Sequence, residues 1–356
     1  MRKRLSDAFT LEVSFAAPAG ITMLFGPSGA GKTTLLDCIA GLITPDAGRI
    51  AIAGAVLFDS VEGANLAVRQ RRVAYVFQDL ALFPHLTVEE NLGYGLNHLA
   101  AEERRRRIDA ALGSFRIAAL RARRPREISG GEAQRTALAR ALVTEPRALL
   151  LDEPLSALDA AVKAAIVADL RTWNDAHRIP VLYVTHSREE LFALGERMVA
   201  LEQDRVLAEG DPHQVLRAPR HETLARAAGF ENIFAATVTA LHEDLGTMTC
   251  RLGAGSAQLE VPLGQAAVDD TVRVAIRAGD ILLATAPPQA LSARNVLAGR
   301  IVSLKRRDVT VVARVDCGVE MEVHLTPGAQ RSLALEPGQP VWLVLKVYSC
   351  HLLRPA

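Results

Sequence analysis

Gly26-Pro27-Ser28-Gly29-Ala30-Gly31-Lys32-Thr33, continued by Thr34, is a run that could hold a nucleotide triphosphate. Glycines let successive backbone N–H groups turn inward around phosphate oxygens with no side chain in the way. Lys32 would place a point charge at the β- and γ-phosphates, and the Thr33 hydroxyl is a ligand for Mg²⁺. Far along the chain, Leu149-Leu150-Leu151 ends in Asp152-Glu153. There Asp152 is suited to hold Mg²⁺, usually through water, and Glu153 to polarise an attacking water. Two more polar residues end apolar runs: Gln78 after Val73–Phe77, and His186 after Val181-Leu182-Tyr183-Val184-Thr185.

Such groups need strands to deliver them. Ile21 to Phe25 is a short apolar run ending at the glycine loop, and Lys32 to Ala40 reads as a helix. That strand–loop–helix order is the context the loop requires. Val73–Phe77, Ala148–Leu151 and Val181–Val184 suit buried parallel strands. Residues 9–15 alternate as a strand would, before a turn at Pro18-Ala19-Gly20. From about Val88 to Thr144 the pattern is mostly helical, which predicts an insertion between two strands. Within it, Arg104–Arg107 follow Glu102 and Glu103, as on a solvated helix face. Val206–Gly210 ends the alternating region, and Asp211–Ala228 predicts a closing helical segment.

Between the loop and the acidic pair lies Ile128-Ser129-Gly130-Gly131-Glu132. It joins a hydroxyl to bare backbone at the start of a helix beginning near Glu132, a place that favours an anion. Set among the other motifs, and followed by Pro154-Leu155-Ser156-Ala157-Leu158-Asp159, it resembles the signature of the ABC-type ATPases. Ile128 stands where Leu is commonest and Glu132 where Gln is. The molybdate branch tolerates that Glu.

The resemblance implies an α/β P-loop NTPase core with a helical subdomain, acting on ATP with Mg²⁺. It implies that Ser129, Gly130, Gly131 and Glu132 face the γ-phosphate held by a second copy, with Asp159 in the D-loop. It makes Gln78 the Q-loop glutamine, reaching Mg²⁺ and the attacking water. His186 becomes the switch histidine, bonding the γ-phosphate. An aromatic ring usually stacks on adenine, and Phe9 and then Phe15 are the candidates, with a core role open for either. Asp79 to Leu92 is similar to the importer segment that docks a permease, with apolar Phe83, Pro84 and Leu86 at its turn.

After Gly229 the chain turns to short β-type runs broken by Gly, Pro and Asp. Asn232–Leu241 aligns with Asn295–Leu304, Thr247–Leu252 with Thr310–Val315, and Val272–Arg277 with Val341–Lys346. Three ordered blocks argue for two copies of one β unit packed together. Ser292–Val302, with the run ending at Lys346, looks like the small molybdate-binding β domain of molybdate importer ATPases. That implies an all-β OB-like or Mop-type domain of two similar halves. Ser292 and Asn295 would be neutral donors to a tetrahedral oxyanion, and Arg294 and Lys346 would supply charge.

The expected organisation is a nucleotide-binding domain over 1–229 (helical subdomain about 88–144), a first β half over 230–290 and a Mop-like oxyanion-binding half over 291–356. The expected function is the ATP-hydrolysing subunit of a molybdate importer. Its implied partners are a second copy, integral membrane permease subunits and, indirectly, a periplasmic oxyanion-binding protein. Its implied place is the cytoplasmic face of the bacterial inner membrane, peripheral through the permease. An importer ATPase for sulfate, thiosulfate or ferric iron is the alternative, and a soluble molybdate-sensing or storage module is the alternative of another class.

Composition agrees with this bounded picture. The 356 residues suit two or three domains, and 49% hydrophobic with 23% charged is an ordinary globular balance. A formal charge of +1 gives no electrostatic case for nucleic acid. Cys38, Cys250, Cys317 and Cys350 show no metal-binding spacing and fit reduced, mostly buried thiols. Met1-Arg2-Lys3-Arg4-Leu5 precedes Ser6-Asp7 and no apolar stretch follows, so neither a secretory signal nor a spanning helix is expected.

Overall fold

Five apolar segments form the parallel core of the first part of the chain. They are β1 (Gly20–Phe25), β2 (Val73–Val76), β3 (Ala148–Asp152), β4 (Pro180–Val184) and β5 (Arg197–Glu202). β6 (Arg205–Gly210) closes one edge antiparallel to β5, giving the order β6-β5-β1-β4-β3-β2. Every residue of β1 and β3 is buried, which is why both read as continuous apolar runs rather than alternating ones. The order places β1, β4 and β3 side by side, so the loops after them meet along one sheet edge. This computed structural model describes residues 1–7, 9–202, 205–217, 219–253 and 255–353. They fall into two compact units, Met1–Val215 and Leu216–Ala356.

Behind the glycine loop runs α1 (Lys32–Ala40), which stops at Gly41 in the left-handed conformation, φ 86. Its last carbonyls meet a fully buried arginine. Arg71 donates from Nη1 to the Cys38 and Ile39 carbonyls at 2.8 and 2.9 Å, and from Nε to Leu66 O at 2.9 Å. A cation there satisfies orphan acceptors and opposes the negative end of the helix dipole. Nothing in the sequence marks Arg71 out.

The helical insertion holds α2 (Val88–Gly93), α3 (Ala101–Ser114) and α4 (Gly130–Leu142). Arg106 and Arg107 on α3 pair with Glu103 at 2.8 and 2.6 Å, so the basic run is a charge-laced helix face. Asp169 of α5 (Ala160–His177) takes Arg135 from α4 at 3.1 Å and Arg116 at 3.2 Å. The helix α6 (Arg188–Leu194) follows β4. No helix among the described residues is long and apolar enough to cross a membrane.

Several boundaries differ from the sequence reading. The strand expected over 9–15 is confined to Thr10–Glu12, paired with Arg2–Arg4, since the unpaired stretch leads into Pro18. The sequence reading left β5 unassigned, along with a three-stranded antiparallel sheet of Arg49–Ile52, Ala55–Asp59 and Ala64–Asn65. The segment over 211–228 is two short helices, Pro212–Arg217 and Glu222–Ala227, and the unit boundary falls in the first of them rather than at 229. The second helix goes with the β unit because Glu222 pairs with Arg273 and the Phe230 N–H bonds Ala225 O at 3.0 Å.

In the second unit ten strands make two five-stranded antiparallel sheets. They are β7 (Asn232–His242), β8 (Thr247–Leu252), β9 (Gln258–Pro262), β10 (Thr271–Ile276) and β11 (Leu282–Ala284), then β12 (Asn295–Arg307), β13 (Thr310–Asp316), β14 (Glu320–Leu325), β15 (Pro340–Leu345) and β16 (Cys350–Leu353). The sheets run β9-β8-β7-β10-β16 and β11-β15-β12-β13-β14. Each repeat therefore lends its last strand to the other repeat's sheet. The repeat boundary near 290 is real in sequence but is not a boundary between sheets. The register repeats as well: Asn232 lies opposite Ile276 and Asn295 opposite Leu345, with bulges at Val238/Ala240 and Ile301/Ser303.

Candidate functional site

The glycine loop begins where β1 ends. A Cβ at Gly26 would lie 2.2 Å from the Leu201 carbonyl oxygen, so only glycine fits between β1 and β5 at that point. Lys32 is buried and folds back on the loop, donating to Gly26 O at 2.9 Å and Pro27 O at 2.8 Å. Burial holds its ammonium below the usual lysine range, against the raising influence of Glu153 and Asp152. The two carbonyls are stand-in acceptors that phosphate oxygens can replace.

At the end of β3, Asp152 is buried and accepts from the Thr33 hydroxyl, and from Tyr75 Oη at 3.5 Å. Its carboxyl is raised, chiefly by burial and then by the charge of Glu153. Thr33 and Asp152 thus bring a hydroxyl and a carboxylate within one hydrogen bond of each other. Both are hard oxygen donors, the set Mg²⁺ prefers. Glu153 itself sits in left-handed backbone, φ 45, where a non-glycine residue costs about 1–2 kcal/mol. Its N–H bonds Val184 O of β4 at 3.1 Å, and its carbonyl accepts from Ser156 Oγ at 3.1 Å. These bonds aim the carboxylate off the sheet edge. His186 Nδ1 is 3.4 Å from Glu153 Oε2, with the imidazole mostly exposed.

The backbone around His186 is anchored from inside. Buried Glu190 accepts from Thr185 Oγ1 at 2.7 Å and Tyr183 Oη at 3.0 Å, while Thr185 Oγ1 accepts the Ser187 N–H at 2.9 Å. The sequence reading missed this support, although three polar residues within six positions could have signalled it.

Of these groups Lys32, Thr33 and Glu153 border a cavity of about 480 Å³, whose wall also includes Leu5, Phe9, Ser28, Gly29, Gly31, Thr34 and Val184 but neither Asp152 nor His186. Of the two aromatic candidates Phe9 is on its wall and Phe15 is not. Gln78 is exposed just beyond β2 and does not line the cavity. Nor do Ser129, Gly130, Gly131, Glu132 or Asp159.

Instead, Ser129 caps α4, which starts at Gly130, two residues before the expected position. Ser129 N–H and Oγ donate to Glu132 Oε2 at 2.7 and 2.8 Å. Those bonds, with the Ser129 N–H first, hold the Glu132 carboxyl below its usual range. Glu132 in place of the commoner Gln thus completes a capping box. Asp159 caps α5, accepting from Val162 N–H at 3.0 Å.

In the β unit, Asn295 is buried: it accepts from Glu260 N–H at 2.7 Å and donates to Glu260 O at 2.8 Å. Asn232 does the same for Glu322 at 2.7 and 2.8 Å. Asn295, expected from the sequence as an oxyanion donor, is here engaged with the backbone of Glu260, where a buried amide satisfies otherwise unpaired backbone groups. Arg294 lies 3.3 Å from the Glu260 carboxylate, and Ser292 and Lys346 are exposed.

A family model described as ABC transporter matches residues 11–156, and one described as TOBE domain matches 291–352. Among curated relatives, the Molybdenum import ATP-binding protein ModC of Vibrio cholerae is 39% identical, covering 97% of this chain and 94% of that one. The protein of the same name from Mesorhizobium japonicum is 40% identical, covering 97% of this chain and 93% of its own. Among solved structures, the dimer of a bacterial ABC transporter cassette matches with TM-score 0.51 and 29% identity over 59% of this chain and 95% of that one. The same cassette in a post-hydrolysis state bound to ADP and Pi matches equally, with TM-score 0.51.

Proposed function

The chain belongs to the molybdenum import ATP-binding proteins of the ABC transporter family, ATPases that energise molybdate import, and from that premise we propose how its two ends share the work. Two copies close head to tail around two ATP, each cavity completed by Ser129–Glu132 of the other copy. The observation that carries this reading is that the cavity holds Lys32, Thr33 and Glu153 but none of Ser129–Glu132.

Thr33 and Asp152 hold Mg²⁺, with Gln78 reaching it on closure. Bound there by Thr33 and Asp152, Mg²⁺ would supply positive charge to offset the charge that develops on the phosphate oxygens. Lys32 exchanges the Gly26 and Pro27 carbonyls for phosphate oxygens. Glu153 accepts a proton from the attacking water, and His186, 3.4 Å away, orients that water and bonds the γ-phosphate. Phe9 stacks on the base. Permease subunits dock at residues 79–92, placing the chain on the cytoplasmic face of the membrane. Ser292, Arg294 and Lys346 remain the exposed groups able to meet an oxyanion.

Mixing two inactive variants tests the shared site. A Lys32→Ala chain and a Gly131→Arg chain are each expected to be dead alone. Mixed, they regenerate one intact site per heterodimer and recover up to about half of the activity per heterodimer. A mixture as dead as its parts rules out sharing. Molybdate-stimulated ATPase in the reconstituted complex, compared with sulfate, tests the cargo.

A further inference from the structure

Leu80 and Ala81, just beyond Gln78, both lie in left-handed backbone, φ 61 and φ 43. Neither is glycine, and two such residues in succession persist only where neighbours hold them. The holder is on another element. Arg140, near the end of α4, donates from Nη2 to Leu80 O at 2.8 Å and from Nη1 to Ala81 O at 2.7 Å. Its guanidinium also lies 5.4 Å from the centre of the Phe83 ring.

Arg140 is held below the usual arginine range by burial alone, with no charged partner among the causes. It gives its planar fork to two consecutive carbonyls of one strained turn. The same turn is gripped from the other side. Fully buried Asn91 of α2 accepts the Phe83 N–H at 2.9 Å and donates to Phe83 O at 3.2 Å and Thr87 O at 2.9 Å. The Tyr94 ring lies 4.3 Å from that of Phe83. Residues 80–83 are therefore clasped between α2 and α4.

The helix that carries Arg140 begins beside Ser129. Arg140 lies three turns further on, roughly 16 Å along a rigid rod. Any displacement of Ser129 toward a nucleotide thus moves the arginine and the turn it grips.

We propose that Arg140 is the positioning residue that makes the 80–83 turn follow α4, so that closure of Ser129 on the partner's nucleotide reaches the permease-docking segment. This rests on the reading that residues 79–92 dock the permease.

Arg140→Gln keeps a polar donor on a shorter side chain but loses the charged fork. In the isolated chain, amide exchange of residues 80–83 is expected to speed up at least about tenfold, while basal ATPase stays within about twofold. In the reconstituted importer, molybdate moved per ATP hydrolysed is expected to fall about tenfold. Arg140→Lys, which keeps charge without the fork, should recover only part of it. Unchanged exchange, unchanged transport per ATP, or loss of basal ATPase together with transport each overturns the proposal. A His85→Cys chain that is otherwise unaltered serves as the control. If it fails to crosslink to the permease, the docking reading has failed. If it crosslinks and Arg140→Gln still transports normally per ATP, only the role of Arg140 has.

Discussion

The polar residues at the nucleotide cavity and the buried asparagines of the β unit are used in opposite ways. In the nucleotide unit, polar groups stand at strand ends with atoms left over: Glu153 is held through its backbone while its carboxylate faces the cavity beside His186, and Lys32 rests on carbonyls it can exchange. In the β unit, Asn232 and Asn295 are buried and closed onto the backbone of Glu322 and Glu260. Those cavity groups keep polar atoms available for a ligand, whereas the two asparagines commit theirs to neighbouring strands. The difference shows that a polar residue flanked by apolar ones signals a site only where the fold leaves it an open direction.

The largest expected effect tests the available side. Glu153→Gln should lose about 10²- to 10⁴-fold in turnover while nucleotide affinity is kept, read by single-turnover hydrolysis beside equilibrium binding. Brisk hydrolysis by that variant would remove Glu153 as the base. The committed side comes next. Asn232→Ala or Asn295→Ala each strands a buried N–H and C=O, and should destabilise the β unit by about 2–4 kcal/mol in denaturant titrations, with ATP affinity unchanged. If Asn295→Ala instead left stability intact and abolished molybdate binding, the contrast between the units would break.

Phe9→Ala sharpens the cavity wall. It should weaken ATP binding by about 1–3 kcal/mol, and Phe15→Ala should not, as a fluorescent-nucleotide competition would show. The smallest effect concerns Glu132, whose carboxyl is lowered by its bonds from Ser129. A lowered carboxyl stabilises the fold above its unfolded value of 4.5 and loses that contribution as pH falls through its folded value. The parent should therefore melt slightly above Glu132→Gln at neutral pH, with the gap closing below pH 4.5, measured by thermal scans across pH.

Legibility followed the same divide. The motifs around Lys32, Asp152, Glu153 and His186 were readable because each sits where a continuous apolar strand stops, a contrast visible in one dimension. Ser129–Glu132 was readable too, as a hydroxyl and bare backbone at the start of α4. Arg71 and Arg140 were not, because most of their acceptors are backbone carbonyls, several of them more than thirty residues away, and carbonyls leave no trace in residue types. Asn295 reads as a ligand donor because its neighbours Ser292 and Arg294 are polar. Only the strand register reveals that Glu260 has claimed its amide. The repeat was legible, but the exchange of last strands was not, since β11 and β16 are short and carry no pairing code.

That exchange has a consequence for the order of assembly. β10 acquires its outer neighbour only when Cys350–Leu353 arrive, so the sheet begun at Asn232 stays open until nearly the whole unit has been synthesised. The nucleotide unit can be finished while the ribosome is still at work, because its pairings close by Gly210. The β unit must instead form in one late, high-contact-order step. A nascent chain would thus pass through a stage with a formed nucleotide unit and an unclosed sheet edge, the interval in which a holding chaperone would be of most use.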